Sequence, residues 1–293
     1  MANPGVLWIG PSGWSYADWG GVVYPARRPA GFAPLAFIGK LFNAVEVNSS
    51  FYAIPAARTV AAWPAQTPRP FRFAVKVFQG FTHTRDEPPS PTTAQAFCEA
   101  IEPLRVAGVL GPLLFQFPWS FRHRHESVEW LRRVTGLFES YTRFVEVRHS
   151  SWAAPAALDA LRGVGGFCNI DQPALRDCLS PSAHVFGNAA YARLHGRNAA
   201  NWFAENQPAF ERYNYLYDDA ELREWVQKIA QMRAIAAETY VFTNNHYRGQ
   251  GVVNALELRH ALGLPAVELP PGLVSAYPRL ASIGKGPRQM ELF

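Results

Sequence analysis

The sequence predicts an α/β fold, a TIM-type (β/α)8 barrel in one domain with long βα loops. Three observations carry this. Short β-rich runs recur along the 293 residues, about as many as a closed barrel has strands. Helical patterns lie between most of them, and strand–helix alternation means a parallel sheet with crossover connections. The long irregular stretches, 11–30, 78–91, 172–188 and 195–216, all follow strands, while the returns from helix to strand look short. A doubly wound open sheet is the alternative. It would place a Gly-x-Gly-x-x-Gly turn after the first strand, which Gly10-Pro-Ser-Gly13 does not supply.

The strands are expected at 6–10, 44–48, 71–77, 112–117, 143–148, 165–171, 190–195 and 239–244. The clearest helix runs over 219–236, where Leu222, Trp225, Val226, Ile229, Met232 and Ala236 follow the spacing of one buried stripe. Asp218 with Glu221 marks its start. Thr92-Thr93-Ala94-Gln95 reads as a capping box opening a helix to about Val106. A third helix covers 127–138, with Val128, Leu131, Thr135 and Phe138 on one face, and a fourth covers 252–262, closed by Gly263 and Pro265. The barrel is expected over 1–278, followed by a flexible tail over 279–293.

Composition excludes several classes. With 48% hydrophobic and 17% charged residues, the chain is neither disordered nor a coiled coil. No apolar run approaches the ~18 residues of a membrane span, and no signal-peptide pattern opens the chain, so the cytoplasm is the expected compartment. The net charge is +5, mostly from arginine, since Lys40, Lys76, Lys228 and Lys285 are the only lysines. No run of five basic residues marks a nucleic-acid arm. Cys98, Cys168 and Cys178 are odd in number and form no Cys-x-x-Cys pair, which speaks against disulfides and structural zinc.

Side chains alternate along a strand, and this phase collects polar residues. In every strand after the first, one polar residue stands near the C-terminal end with apolar neighbours on the other face. Together they predict a polar barrel mouth lined by Glu46, Lys76, Gln116, Glu146, Arg148, Asp171, Arg193, His195 and Asn244. Barrels of this type carry their active sites at that end. A lattice of ion pairs capping the interior is the competing reading, because buried charges must be paired.

At these residues the chain resembles the YecE-like family, domain of unknown function 72. The matching stretches are Gly10-Pro-Ser-Gly-Trp-Ser-Tyr16, Glu46-Val-Asn-Ser-Ser-Phe-Tyr52, Phe73-Ala-Val-Lys76, Leu114-Phe-Gln-Phe-Pro118, Glu146-Val-Arg-His-Ser-Ser-Trp152, Tyr191-Ala-Arg-Leu-His-Gly196 and Tyr240-Val-Phe-Thr-Asn-Asn245. The resemblance implies a TIM-type barrel, related to sugar isomerases and endonuclease-like barrels, and leaves the chemistry open.

Glu46, Lys76, Glu146, Asp171 and His195 are the candidate catalytic residues, suited to proton transfer. Lys76 desolvated in the barrel can be a base or a Schiff-base amine, or an ion-pair partner for a glutamate. Trp14, Tyr16, Asn48, Tyr52, Gln116, Arg148, Arg193, Arg197, Asn244 and Arg248 are candidate substrate contacts. Arg197 and Arg248 stand in the glycine-bearing loops after the last two strands, where barrels hold phosphate. Trp119, Trp152, Trp202 and Tyr247 add aromatic faces to the same loops. Glu146, Asp171 and His195 resemble part of a sugar-isomerase metal set, but the interleaved cations neutralise the carboxylates. No metal and no cofactor is expected. The expected function is an enzyme, isomerase or hydrolase in type, acting by acid–base chemistry on a small sugar, sugar-phosphate or nucleotide-like ligand. The alternative is a DNA-associated repair or nuclease-like factor. It draws on the C-terminal Gln289-Met-Glu-Leu-Phe293, which resembles a bacterial sliding-clamp motif. Gln289, Leu292 and Phe293 would be its anchors, after a Gly284-Lys-Gly-Pro287 linker.

Overall fold

The computed structural model describes residues 4–285. Eight parallel strands follow one another round a barrel: β1 (Val6–Pro11), β2 (Ala44–Val47), β3 (Arg72–Lys76), β4 (Leu110–Gln116), β5 (Arg143–Glu146), β6 (Gly166–Asp171), β7 (Ala189–Leu194) and β8 (Glu238–Thr243). The helices are α1 (Pro34–Leu41), α2 (Ser49–Tyr52), α3 (Ala57–Ala61), α4 (Pro91–Val106), α5 (His125–Gly136), α6 (Pro155–Arg162), α7 (Asp219–Ile235), α8 (Gln250–Ala261) and α9 (Pro271–Ala276). Each strand lies within two residues of its expected position at either end. Helix α7 opens with the full capping box of Asp218 and Glu221. Helix α4 is capped by Ser90, whose side chain accepts from the Thr93 N–H, rather than by Thr92.

Ladder hydrogen bonds join neighbouring strands from β2 round to β1, leaving one seam between β1 and β2. Three features close it. Ser12 and Glu46 form a parallel bridge, and the Gly13 N–H donates to the Glu46 carbonyl at 2.8 Å. Lower down, the Asn43 side chain replaces the missing ladder: its Oδ1 accepts from the Ile9 N–H at 2.9 Å and its Nδ2 donates to the Leu7 carbonyl at 2.8 Å. Between them Gly10 has no side chain because a Cβ there would stand 1.9 Å from the Ala44 carbonyl oxygen.

The barrel interior is layered. Trp8 stacks on Tyr240 at the base, with the Arg72 guanidinium 4.9 Å from the Trp8 ring centroid. Phe144, Tyr191 and Phe242 meet above them, with centroid separations of 5.1 and 5.3 Å. The apolar alternates, among them Val45, Phe73, Val145 and Val241, are fully buried beneath the helices.

The connection from β6 to β7 contains no helix. An irregular crossover must have its backbone polar groups satisfied from the barrel wall. Asn169 does this: its Oδ1 accepts from the His184 N–H at 2.7 Å and from Ser182 Oγ, and its Nδ2 donates to the His184 carbonyl. Residues 279–285 also pack on the barrel. Leu280 is fully buried, and Arg279 pairs with Glu257 and Asp219. The packed unit therefore continues past the boundary expected at Pro278. Gln289, Leu292 and Phe293 lie outside the described residues.

The seam yields a stability prediction. Asn43→Ala removes two hydrogen bonds and strands two backbone groups, and is expected to cost about 2–3 kcal/mol. Urea denaturation of the variant checks this, and a change below about 0.5 kcal/mol would show that the seam holds without Asn43.

Candidate functional site

A cavity of about 420 Å³ opens at the C-terminal end of the strands. Its floor is made by the last inward side chains of the strands: Lys76 of β3, Gln116 of β4, Arg193 of β7, and Arg148 and Asn244 just beyond β5 and β8. Its wall comes from the loop after β1, with Trp14 and Tyr16, and from the turn after β2, with Asn48 and Tyr52. Nine of the expected site residues therefore meet in one space: these four and the five of the floor.

Glu46, Glu146 and His195 lie directly beneath the cavity and are fully buried. Arg193 joins the two carboxylates: its Nη2 donates to Glu46 Oε1 at 2.7 Å and its Nη1 to Glu146 Oε2 at 2.5 Å. Glu46 also accepts from Ser12 Oγ and from the Tyr191 hydroxyl at 2.7 and 2.6 Å. Glu146 also accepts from Arg148 Nε at 3.0 Å and lies 3.1 Å from His195 Nε2. Asn244 Nδ2 stands 3.0 Å from His195 Nδ1. That amide can only donate, so the ring is assigned as the neutral Nε2–H tautomer donating to Glu146.

These contacts set the charges. Burial opposes the charged form of Glu146, but Arg193, His195 and Arg148 outweigh it and hold the carboxyl well below its usual range. Burial opposes the cation of Arg193 too, and the two glutamates hold it firmly charged. Burial drives His195 down to about 3 and His246, on the cavity wall, down to about 4. Neither histidine takes up a proton near neutrality. Lys76 behaves differently. Burial lowers it first, Arg193 lowers it further, and Glu146 only partly opposes them, leaving it at about 7. The bonds of Glu46 and Glu146 are directed to the arginines, Ser12, Tyr191 and His195, and the Lys76 ammonium instead lies 3.7 Å from the Phe51 ring centroid. Because the folded value lies below that of a free lysine, this residue opposes folding most below pH ~7. That opposition fades as the pH rises from there toward ~10.4.

Three expected residues stand elsewhere. Asp171 faces the helix layer, where it accepts from Trp225 Nε1 of α7 at 2.8 Å and from Arg197 at 3.0 Å. The inward positions of β6 are instead those of Gly166, Cys168 and Ile170: a Cβ on Gly166 would stand 2.4 Å from the Phe144 ring, and Cys168 Sγ lies 3.9 Å from Glu146. The carboxylate set of Glu146, Asp171 and His195 is thereby split between two faces. Arg197 is committed to Asp171, Glu221 and Glu224. Arg248 is exposed and does not line the cavity; its backbone, at φ 47°, bonds Asp18 and Tyr277. The two guanidiniums expected to flank a phosphate are thus absent from the mouth. Among the described residues no group of three or more His, Cys, Asp or Glu is placed to hold a metal ion.

The sequence reading missed four contributors. Ser12 and Tyr191 complete Glu46, and Tyr213 and His246 line the cavity. His246 stacks on Tyr16 with centroids 4.3 Å apart. Asn48 Oδ1 and His246 Nδ1 are buried without a protein hydrogen-bond partner.

An eight-stranded parallel barrel with a polar, charged mouth is the class this geometry defines. The chain belongs to the family described as "Protein of unknown function DUF72", which matches residues 8–276. It is 28% identical to the UPF0759 protein YunF of Bacillus subtilis (strain 168) over 302 residues, covering 98% of this chain and 100% of that one. It is 28% identical to the UPF0759 protein YecE of Escherichia coli (strain K12) over 149 residues, 51% of each chain. Among solved structures, a DUF72 family protein from Thermotoga maritima MSB8 superposes with a TM-score of 0.77 at 33% identity, covering 86% of this chain and 97% of that one. A DUF72 family protein from Enterococcus faecalis V583 gives a TM-score of 0.79 at 24% identity, covering 91% and 98%. No helix of the described residues is long and apolar enough to cross a membrane.

The Arg193 bridge yields the second prediction. Arg193→Met leaves Glu46 without a countercharge and Glu146 with Arg148 alone, which costs about 3–5 kcal/mol near neutral pH. The deficit should shrink as acid protonates the carboxylates, because protonation removes the uncompensated charge. Thermal denaturation across pH measures it, and an equal deficit at low and neutral pH would contradict the bridging role.

Proposed function

We propose that this protein is an enzyme that moves protons on a small anionic, sugar-like or nucleotide-like substrate held in the barrel mouth. One observation carries the reading. Lys76 is a lysine without an ion-pair partner among the described residues, on the floor of a closed-bottomed cavity, with its pKa lowered to about 7. A general base works best when its pKa lies near the working pH. Glu146 is held ionised by its arginines, and His195 and His246 are held neutral by burial.

The rest of the mouth supports binding. When Lys76 is protonated, three cations (Lys76, Arg148, Arg193) face two carboxylates (Glu46, Glu146), so an anion entering the cavity meets a net positive field. Trp14 and Tyr52 offer faces on which a sugar ring or base can stack. Asn48 brings an acceptor that the protein leaves unpaired and that suits a substrate hydroxyl. In this reading Lys76 takes the proton, Arg148 and Asn48 orient the ligand, and Glu46, Glu146 and His195 set the field from beneath a floor that Arg193 shares.

The reading is tested in deuterated water. Sugar phosphates and sugar acids are incubated with the protein, and carbon-bound protons are followed by NMR. At least one compound should exchange a proton for deuterium, at a rate that rises with pH and levels above about 7, and Lys76→Met should slow it by about 10²–10⁴-fold. Exchange that Lys76→Met leaves unaltered, or none with any compound, would overturn it.

A further inference from the structure

We propose that Lys76 is a nucleophile whose Nζ captures the carbonyl carbon of a small monoanionic oxo compound, a 2-oxo acid in class, as an imine. This rests on the reading of the mouth as a proton-transfer site and names a substrate class toward which the same neutral amine acts as nucleophile in place of base.

The geometry of Lys76 differs from that of a structural lysine. A structural lysine directs its ammonium at a carboxylate. Here both nearby carboxylates are occupied by arginines, the hydroxyls of Ser12 and Tyr191, and His195. The Lys76 Nζ is left over the Phe51 ring, on a cavity wide enough for a molecule of several carbons. A lysine becomes nucleophilic at neutral pH when it is desolvated and set beside other cations. Lys76 meets both conditions, with Arg193 and Arg148 as the cations.

Charge balance selects the substrate. With the amine neutral, Arg148 and Arg193 balance Glu46 and Glu146. In the reaction the nitrogen lone pair forms a bond to the carbonyl carbon and the carbonyl π pair moves to oxygen. One proton passes from nitrogen to that oxygen, giving a carbinolamine. A proton from solvent then allows water to leave with the C–O pair as the nitrogen lone pair closes the C=N bond. The sum is amine, carbonyl and one proton in, protonated imine and one water out, with no redox change. The imine adds one positive charge to a balanced site, and one substrate carboxylate restores the balance. Arg148 spends Nε and Nη2 on Glu146, leaving Nη1 as the donor for that carboxylate. The Phe51 ring beneath the nitrogen favours the imine cation as it does the ammonium. A neutral ketone would leave the extra charge uncompensated, and a dianion would overshoot it.

The test is reductive trapping on the full chain. The protein is incubated with pyruvate and sodium cyanoborohydride at about neutral pH, and the adduct is placed by peptide mapping over the chain's four lysines. Lys76 should be labelled at least about tenfold faster than Lys40, Lys228 or Lys285, since its nitrogen is desolvated beside two arginines. Its preference should fall when hydroxyacetone, a neutral ketone, replaces pyruvate. Lys76→Arg, which keeps a cation in place, should lose the fast labelling. Equal labelling of all four lysines, or none at Lys76, would overturn the inference. If Lys76-dependent deuterium exchange persists in that case, proton transfer stands and only the covalent step fails; if both are lost, the reading of the mouth fails with it.

Discussion

Arg193 is the side chain on which the upper half of the barrel depends. It rises from β7 into the middle of the interior and donates to two carboxylates, Glu46 from β2 and Glu146 from β5. Neither glutamate could stay ionised there alone, because an isolated buried carboxylate is far costlier than a protonated one. The bridge fixes strands that are not neighbours in the sheet. It also reaches the seam, since Glu46 holds Ser12 through its side chain and Gly13 through its carbonyl. Tyr191 and His195, two residues to either side of Arg193 on β7, bond to the same carboxylates. One strand thus organises the charged layer, and the functional surface is the face of that layer turned to solvent.

That arrangement explains why the mouth is asymmetric. A buried ion pair contributes little net stability over an apolar substitute, so its value here lies in the field it leaves above it. The carboxylates are spent on the arginines and their neighbours, and Lys76 is left as a cation facing cations. Without Arg193 and Arg148 the same lysine would have a free glutamate to pair with, and burial alone would hold it down. The neutral histidines follow from the same burial, His195 sealed under the floor and His246 stacked on Tyr16.

The strands were legible because each runs as a short apolar β segment between turn residues, and the mouth because period-2 alternation puts polar ends in phase. The phase failed at β6. Asn169 and Asp171 carry the same polar signature as Glu146 and Arg148, yet they point outward, one to a helix-free crossover and one to Trp225 and Arg197. Alternation shows that two residues share a face, and which face is decided by partners distant in sequence. Gly166 held the available signal, because only the face crowded by Phe144 has no room for a side chain there. Arg197 and Arg248 were misplaced for a related reason: a loop arginine reads as an anion ligand until the carboxylates of α7 claim it, or until only its backbone proves to be engaged. Tyr191 stands inside a strand segment, and its hydroxyl gives no sign in the sequence that Glu46 waits across the barrel.

The central claim is that burial beside the Arg193 network leaves Lys76 as a neutral amine close to physiological pH. Direct titration decides it. With lysine labelled at Cε and Nζ, NMR resolves each of the four lysines as pH is raised, and a Lys76→Arg variant assigns the signal. The account requires one lysine signal, lost in that variant, to titrate near about 7. A Lys76 signal titrating near the ~10.4 of a free lysine would contradict it.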